Sequence, residues 1–81
     1  MKIIRFTASW CGPCKMLSKT LENLETNIPI DVVDIDVHPE VALEYGIRGV
    51  PTLVLLDEHN QPLRKLVGNK PLNELKEWIN G

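Results

Sequence analysis

Hydrophobic and polar positions fall into seven segments along the chain. Lys2-Ile3-Ile4-Arg5-Phe6 is dense in β-branched and aromatic residues and predicts a strand that runs out at Ala8-Ser9. Pro13 suits the first turn of a helix. After it Cys14, Leu17, Leu21 and Leu24 recur at spacings of three, four and three, which is one face of an amphipathic helix reaching Thr26-Asn27. Ile30 to Asp36 predicts a second strand, with Val33 and Ile35 on one face and Asp34 and Asp36 on the other, closed by His38-Pro39. Glu40 to Tyr45 predicts a short helix that Gly46 stops in the left-handed conformation. A loop from Ile47 to Thr52 leads into a strand over Leu53 to Leu56, and the polar connection Asp57 to Gln61 leads into another over Pro62 to Val67. The leading proline marks that last strand as a sheet edge. Gly68-Asn69-Lys70 breaks the pattern. Pro71 then opens a final helix with Leu72, Leu75 and Ile79 on one face and Trp78 beside them.

The order β-α-β-α-β-β-α has no repeats, linkers or low-complexity tracts. A helical crossover makes the first two strands a right-handed parallel unit, and the short loop between the last two makes them antiparallel. The expected architecture is α/β, a four-stranded mixed sheet flanked by three helices, in a single domain over residues 1–81. Composition agrees: with 43% hydrophobic and 25% charged residues the chain reads as globular. A chain of this size buries only about 60% of its unfolded surface, which leaves room for one core. Two cysteines allow at most one internal disulfide, which excludes a disulfide-stapled scaffold. A formal charge of −2 offers no electrostatic footprint for nucleic acid or anionic membrane. The longest apolar run, Val50 to Leu56, is broken by Pro51 and Thr52 and is too short for a membrane span, and no targeting segment precedes Trp10. The expected location is cytoplasmic, where a close cysteine pair points to catalysis or metal binding.

Cys11-Gly12-Pro13-Cys14 stands where the first strand gives way to the first helix. Free backbone N–H groups and the helix dipole favour a thiolate at Cys11, while Cys14, one turn in on the Leu17 and Leu21 face, is expected to be more sheltered. The pair then reads as a reachable nucleophile and a hidden resolving thiol, spaced for dithiol exchange, with Pro13 stiffening the turn. A four-ligand metal site would need two more ligands, and His38 and His59 lie in separate polar turns. Covalent haem would need His where Lys15 stands. No metal and no bound cofactor are expected.

Trp10-Cys11-Gly12-Pro13-Cys14-Lys15 resembles the active-site motif of the thioredoxin family, and Tyr45-Gly46-Ile47-Arg48-Gly49-Val50-Pro51-Thr52 resembles its second signature. Val67-Gly68 followed by Leu72 to Glu77 is similar to the family's ending, so the resemblance covers nearly the whole chain. It implies a thioredoxin-like fold, with Pro51 as a cis-proline facing the disulfide and the Val50 backbone pairing with an extended substrate segment. It also implies a flat apolar docking surface made by Trp10, Gly49, Val50, Pro51 and Gly68. The alternative for Trp10 is a core aromatic; its place in a loop beside the reactive thiol favours partial exposure.

Three features depart from the family pattern. The chain starts at the strand before the cysteines, without the usual preceding strand and helix, and so resembles a compact thioredoxin. Arg5 stands six residues before Cys11, where the family usually has a buried Asp, and Val32 replaces that residue's Lys partner. Arg5 must then snorkel to water or pair with a carboxylate, and Asp34 is the expected partner. Asp34 either assists proton handling at Cys14 or is a solvated residue in a structural ion pair. Lys19 replaces a kinking proline, which predicts a straighter first helix.

The resemblance implies a thiol–disulfide oxidoreductase reducing protein disulfides through Cys11 and Cys14, a monomer replenished by a thioredoxin reductase linked to NADPH or ferredoxin. Gly12, Pro13, Pro51, Asp34 and Arg5 would support the site. The alternatives are a glutaredoxin-like reductase recycled by glutathione, and a binding or processivity module indifferent to redox state.

Overall fold

In the computed structural model, which describes residues 1–81, the chain forms β1 (Lys2–Thr7), α1 (Gly12–Glu22), β2 (Ile30–Asp34), α2 (Pro39–Glu44), β3 (Thr52–Leu56), β4 (Pro62–Val67) and α3 (Leu72–Asn80). The sheet order is β2-β1-β3-β4. β1 runs parallel to β2 with Arg5 beside Val32 and Thr7 beside Asp34, and it runs antiparallel to β3. β3 and β4 form the antiparallel hairpin, which leaves β4 and its leading Pro62 at the edge.

Burial explains why β3 reads as an unbroken apolar run. Every one of its residues is buried, because helices or their connections cover both faces of the sheet there. Alternation divides the core in two. Ile3, Leu53 and Leu55 meet Leu17 of α1 and Leu75 of α3 on one face, while Ile4, Phe6, Val54 and Leu56 meet Ala42 of α2 on the other. Leu17, Leu55 and Leu75 are fully buried, each contributing about 1.5–3 kcal/mol by removal from water. Arg5 lies two residues from Ile3 and so projects from the face that α1 covers, where it is half-buried.

The end of α2 is set by backbone chemistry. Gly46 takes a φ of +65°, its N–H donates to Leu43 O at 3.1 Å, and the N–H of Ile47 donates to Ala42 O at 2.9 Å. This pairing satisfies carbonyls that the helix end would leave free, and Ile47 folds back onto the core around Ala42.

Two expected elements end early. α1 stops at Glu22, not at Thr26-Asn27, because Asn23 caps it and its N–H turns back to Thr20 O and Leu21 O. Leu24 still packs against the core, from the turn beyond the helix. β2 stops at Asp34, not Asp36. The Asp34 carboxylate accepts the Asp36 N–H at 2.8 Å while its carbonyl accepts the N–H groups of Val37 and His38, and the chain turns into α2.

Candidate functional site

β1 delivers the chain to Ala8, and the turn through Ser9 and Trp10 places Cys11 as the N-cap of α1, in extended conformation. Gly12 and Pro13 make the first turn, and the ring of Pro13 occupies a position whose N–H a helix would leave unpaired. The backbone N–H of Cys14 donates to Cys11 Sγ at 3.1 Å. A sulfur thus holds the place that a Ser or Asp oxygen usually takes at a helix start, facing a free amide and the positive end of the helix. Cys11 and Cys14 are joined as a disulfide with Cα atoms 5.3 Å apart.

The opposing wall is the loop before β3. Its Val50–Pro51 peptide is cis, and the Val50 carbonyl oxygen lies 3.7 Å from Cys11 Sγ. Neither the N–H nor the C=O of Val50 takes part in a backbone hydrogen bond, whereas Pro51 O accepts the Gly68 N–H at 2.9 Å and Gly49 O accepts the Thr52 hydroxyl at 2.8 Å. The loop is therefore pinned on both sides of an unpaired edge. Gly68 reaches it with a φ of +95°, a conformation that favours glycine.

The disulfide corrects two expectations about surface. Cys11 is not solvent-facing in this form: it is 4% exposed against 1% for Cys14, because the two cysteines cluster with Ala8, and Ile35 and Val50 pack against that cluster. The two cysteines differ in what they face. Cys11 meets Val50, while Cys14 lines a cleft on the other side. Pro51 is buried, so the exposed part of the expected docking surface is Trp10, at 67%, with Gly49 and the half-buried Val50 and Gly68. The indole N–H of Trp10 donates to Asp36 Oδ2 at 2.8 Å.

The cleft behind Cys14 has a volume of about 250 Å³, and its polar lining is Arg5, Thr7, Ser9, Lys15, Ser18 and Asp34. It brings Arg5 and Asp34 to one site, as the strand faces implied. The expected ion pair does not form: no carboxylate lies within 4.0 Å of the Arg5 guanidinium, and Arg5 makes no side-chain hydrogen bond. In the parallel register Asp34 sits beside Thr7, two strand positions further along than Val32, the neighbour of Arg5, and its Oδ1 is engaged by the Asp36 N–H. Partial burial pulls the Arg5 pKa below the ordinary guanidinium value.

Lys15, Ser9 and Ser18 were not anticipated. Ser18 lies one helical turn after Cys14, a spacing that could have flagged it. Asp36 as the partner of Trp10, twenty-six residues away, has no comparable local signal.

A disulfide spanning the first turn of a helix, set against a cis-proline loop at the end of a mixed four-stranded sheet, defines a dithiol–disulfide exchange protein. The thioredoxin family model matches residues 1–81. A thioredoxin from Chlamydia caviae is 42% identical over 81 residues, covering 96% of this chain and 78% of its own. The SPbeta prophage-derived thioredoxin-like protein YosR of Bacillus subtilis is 42% identical over 79 residues, covering 98% of this chain and 95% of its own. Among solved structures, a mutant thioredoxin from Halobacterium salinarum superposes with a TM-score of 0.89 at 38% identity, covering 96% of this chain and 70% of its own. The chain belongs to the thioredoxin family, and its Cys11–Cys14 pair supports thiol–disulfide oxidoreductase activity by dithiol exchange. No helix is long and apolar enough to cross a membrane.

Proposed function

We propose that the chain reduces protein disulfides, with Cys11 as nucleophile and Cys14 as resolving thiol. The observation that carries this assignment is Cys11 Sγ at the helix N-cap, accepting the Cys14 N–H at 3.1 Å. A negative charge on that sulfur meets an amide donor and the helix dipole, which lowers the thiol pKa. In the reduced protein the Cys11 thiolate attacks one sulfur of a substrate disulfide. That S–S bond breaks, one substrate thiolate leaves, and a mixed disulfide joins Cys11 to the substrate. Cys14, deprotonated, then attacks Cys11 Sγ. The mixed disulfide breaks, the second substrate thiolate leaves, and the Cys11–Cys14 bond forms, two electrons having passed to the substrate.

The unpaired Val50 N–H and C=O fit an extended substrate segment added as a strand, with Trp10, Gly49 and Gly68 flanking it and Pro51 holding the loop from beneath. Gly12 and Pro13 stiffen the turn. Asp34, the single carboxylate lining the cleft behind Cys14, accepts the proton that Cys14 loses before it attacks. The protein works as one domain and a monomer in the cytoplasm, and a reductase drawing on NADPH or ferredoxin restores the dithiol.

Insulin-disulfide reduction under dithiothreitol tests the reading. Wild type should be active and both Cys11→Ser and Cys14→Ser should lose turnover, with Cys14→Ser accumulating mixed disulfide. Full activity in the Cys11→Ser protein would overturn the assignment. Supplying a thioredoxin reductase in one arm and glutathione with its reductase in another separates this function from a glutaredoxin-like one. Asp34→Asn should slow mixed-disulfide resolution and alter its pH profile, and an unchanged profile removes Asp34 from proton transfer.

A further inference from the structure

The cleft behind Cys14 holds a charge without a partner. The Arg5 guanidinium is half-buried and partly desolvated, and no carboxylate, carbonyl or hydroxyl of the protein accepts from it. A cation taken partly out of water is stabilised by an opposite charge, and the groups that face this cleft are few. β1 contributes Arg5 and Thr7, α1 contributes Cys14, Lys15 and Ser18, and β2 contributes Asp34. Two cations against one carboxylate leave the cleft one positive charge in excess while the cysteines are joined as a neutral disulfide. The group in its wall that can supply the missing negative charge is the sulfur of Cys14, when reduction and loss of a proton make it a thiolate.

We propose that Arg5 is the electrostatic partner of the Cys14 thiolate, a positioning residue that raises the population of the attacking form in resolution and makes the Cys11–Cys14 pair a stronger oxidant. The proposal rests on Cys14 being the resolving thiol and adds the reason that its deprotonation is favoured. Reduction takes the disulfide, two electrons and one proton to a thiol and a thiolate. A nearby cation favours that anionic product over the neutral disulfide, so it raises the reduction potential. A carboxylate at the same place would act in the opposite sense, opposing the anion.

The test uses the Cys11→Ser background, in which Cys14 is the one remaining thiol, and follows its thiolate by ultraviolet absorbance against pH. Arg5→Gln should move the titration midpoint upward, leaving about three- to tenfold less thiolate near neutrality, the lower range of nearby-charge effects because the guanidinium is partly solvated. Arg5→Lys should restore most of the wild-type titration, and Asp34→Asn should move the midpoint the other way. In the two-cysteine protein, equilibration with a defined dithiol couple at a pH above the Cys14 titration midpoint, where the thiolate is the reduced form, should show Arg5→Gln more reducing by about three- to tenfold in the equilibrium constant, up to about 30 mV for this two-electron couple. Far-ultraviolet circular dichroism verifies folding, and Arg5→Lys serves if Arg5→Gln does not fold. A Cys14 titration unmoved by Arg5→Gln, or moved as far by Arg5→Lys as by Arg5→Gln, overturns the proposal. An Arg5→Lys titration far from wild type overturns it as well where Arg5→Gln does not fold. None of these readouts requires turnover of a protein substrate, so they fail or succeed separately from the insulin assay.

Discussion

The indole N–H of Trp10 is held by the carboxylate of Asp36 at 2.8 Å, so the turn before the nucleophile is tied to the turn that ends β2. Trp10 is 67% exposed, and a ring that free would otherwise sample several rotamers beside the substrate edge. Removing the acceptor should therefore weaken docking and leave the chemistry alone. Asp36→Ala is expected to raise KM for a protein disulfide by about fivefold, the equivalent of about 1 kcal/mol for an exposed hydrogen bond, with kcat nearly unchanged. Steady-state kinetics with a protein substrate, together with Trp10 fluorescence, checks this. An unchanged KM, or a fall confined to kcat, would show that the hydrogen bond does not orient a docking residue.

The residues that were legible in advance are those whose signal is local. The spacing of Cys14, Leu17 and Leu21 marks one face of α1, the apolar run from Leu53 marks a strand, and Gly46 marks a helix stop because that backbone angle suits glycine. The hydrophobic period continues past the end of α1 and so overstates the length of the helix. Leu24 keeps the helical spacing yet reaches the same core from a turn, since a hydrophobic side chain records where it packs and not which backbone carries it. The site is harder for a different reason. That Arg5 and Asp34 share a face follows from alternation, but whether their charges meet depends on how α1 lies across β1 and β2. That Cys11 is covered depends on Val50, thirty-nine residues away. Distances of that kind are set by packing, which no window of the sequence contains.

Gly46 offers a measurement of backbone conformation free of steric crowding. Its φ is +65°, and a Cβ built there would meet nothing within 4 Å. Gly46→Ala should therefore cost about 1–2 kcal/mol, all of it from holding an L-residue in the left-handed region. For a chain of this size that is a fall in Tm of roughly 4–8 °C per kcal/mol. Gly49 is equally open but has no such φ, so Gly49→Ala should be neutral or stabilising by up to about 1 kcal/mol. Urea unfolding of the two variants decides the matter, and equal losses at both positions would contradict the conformational explanation.

The β3–β4 connection carries a pH-dependent contribution whose sign can be worked out. Oδ1 of Asp57 accepts the N–H groups of His59 and Gln61 at 2.8 and 2.9 Å. The Gln61 N–H is the largest influence holding this carboxyl below its ordinary value of 3.8; desolvation opposes it, and the His59 N–H with nearby positive charge at His59 and the N-terminus adds to the lowering. A folded-state pKa below the unfolded one means that stability from this group is present above pH 3.8 and is lost as pH falls through the lower folded value. Asp57→Asn keeps an oxygen at the same place but removes the charge, so the variant should be less stable than wild type near neutrality, and the gap should close in acid. Because every other carboxylate titrates in both proteins, the difference between their urea midpoints isolates Asp57. A gap that stays constant from neutrality to well below pH 3.8 would mean that the turn depends on the oxygen and not on its charge.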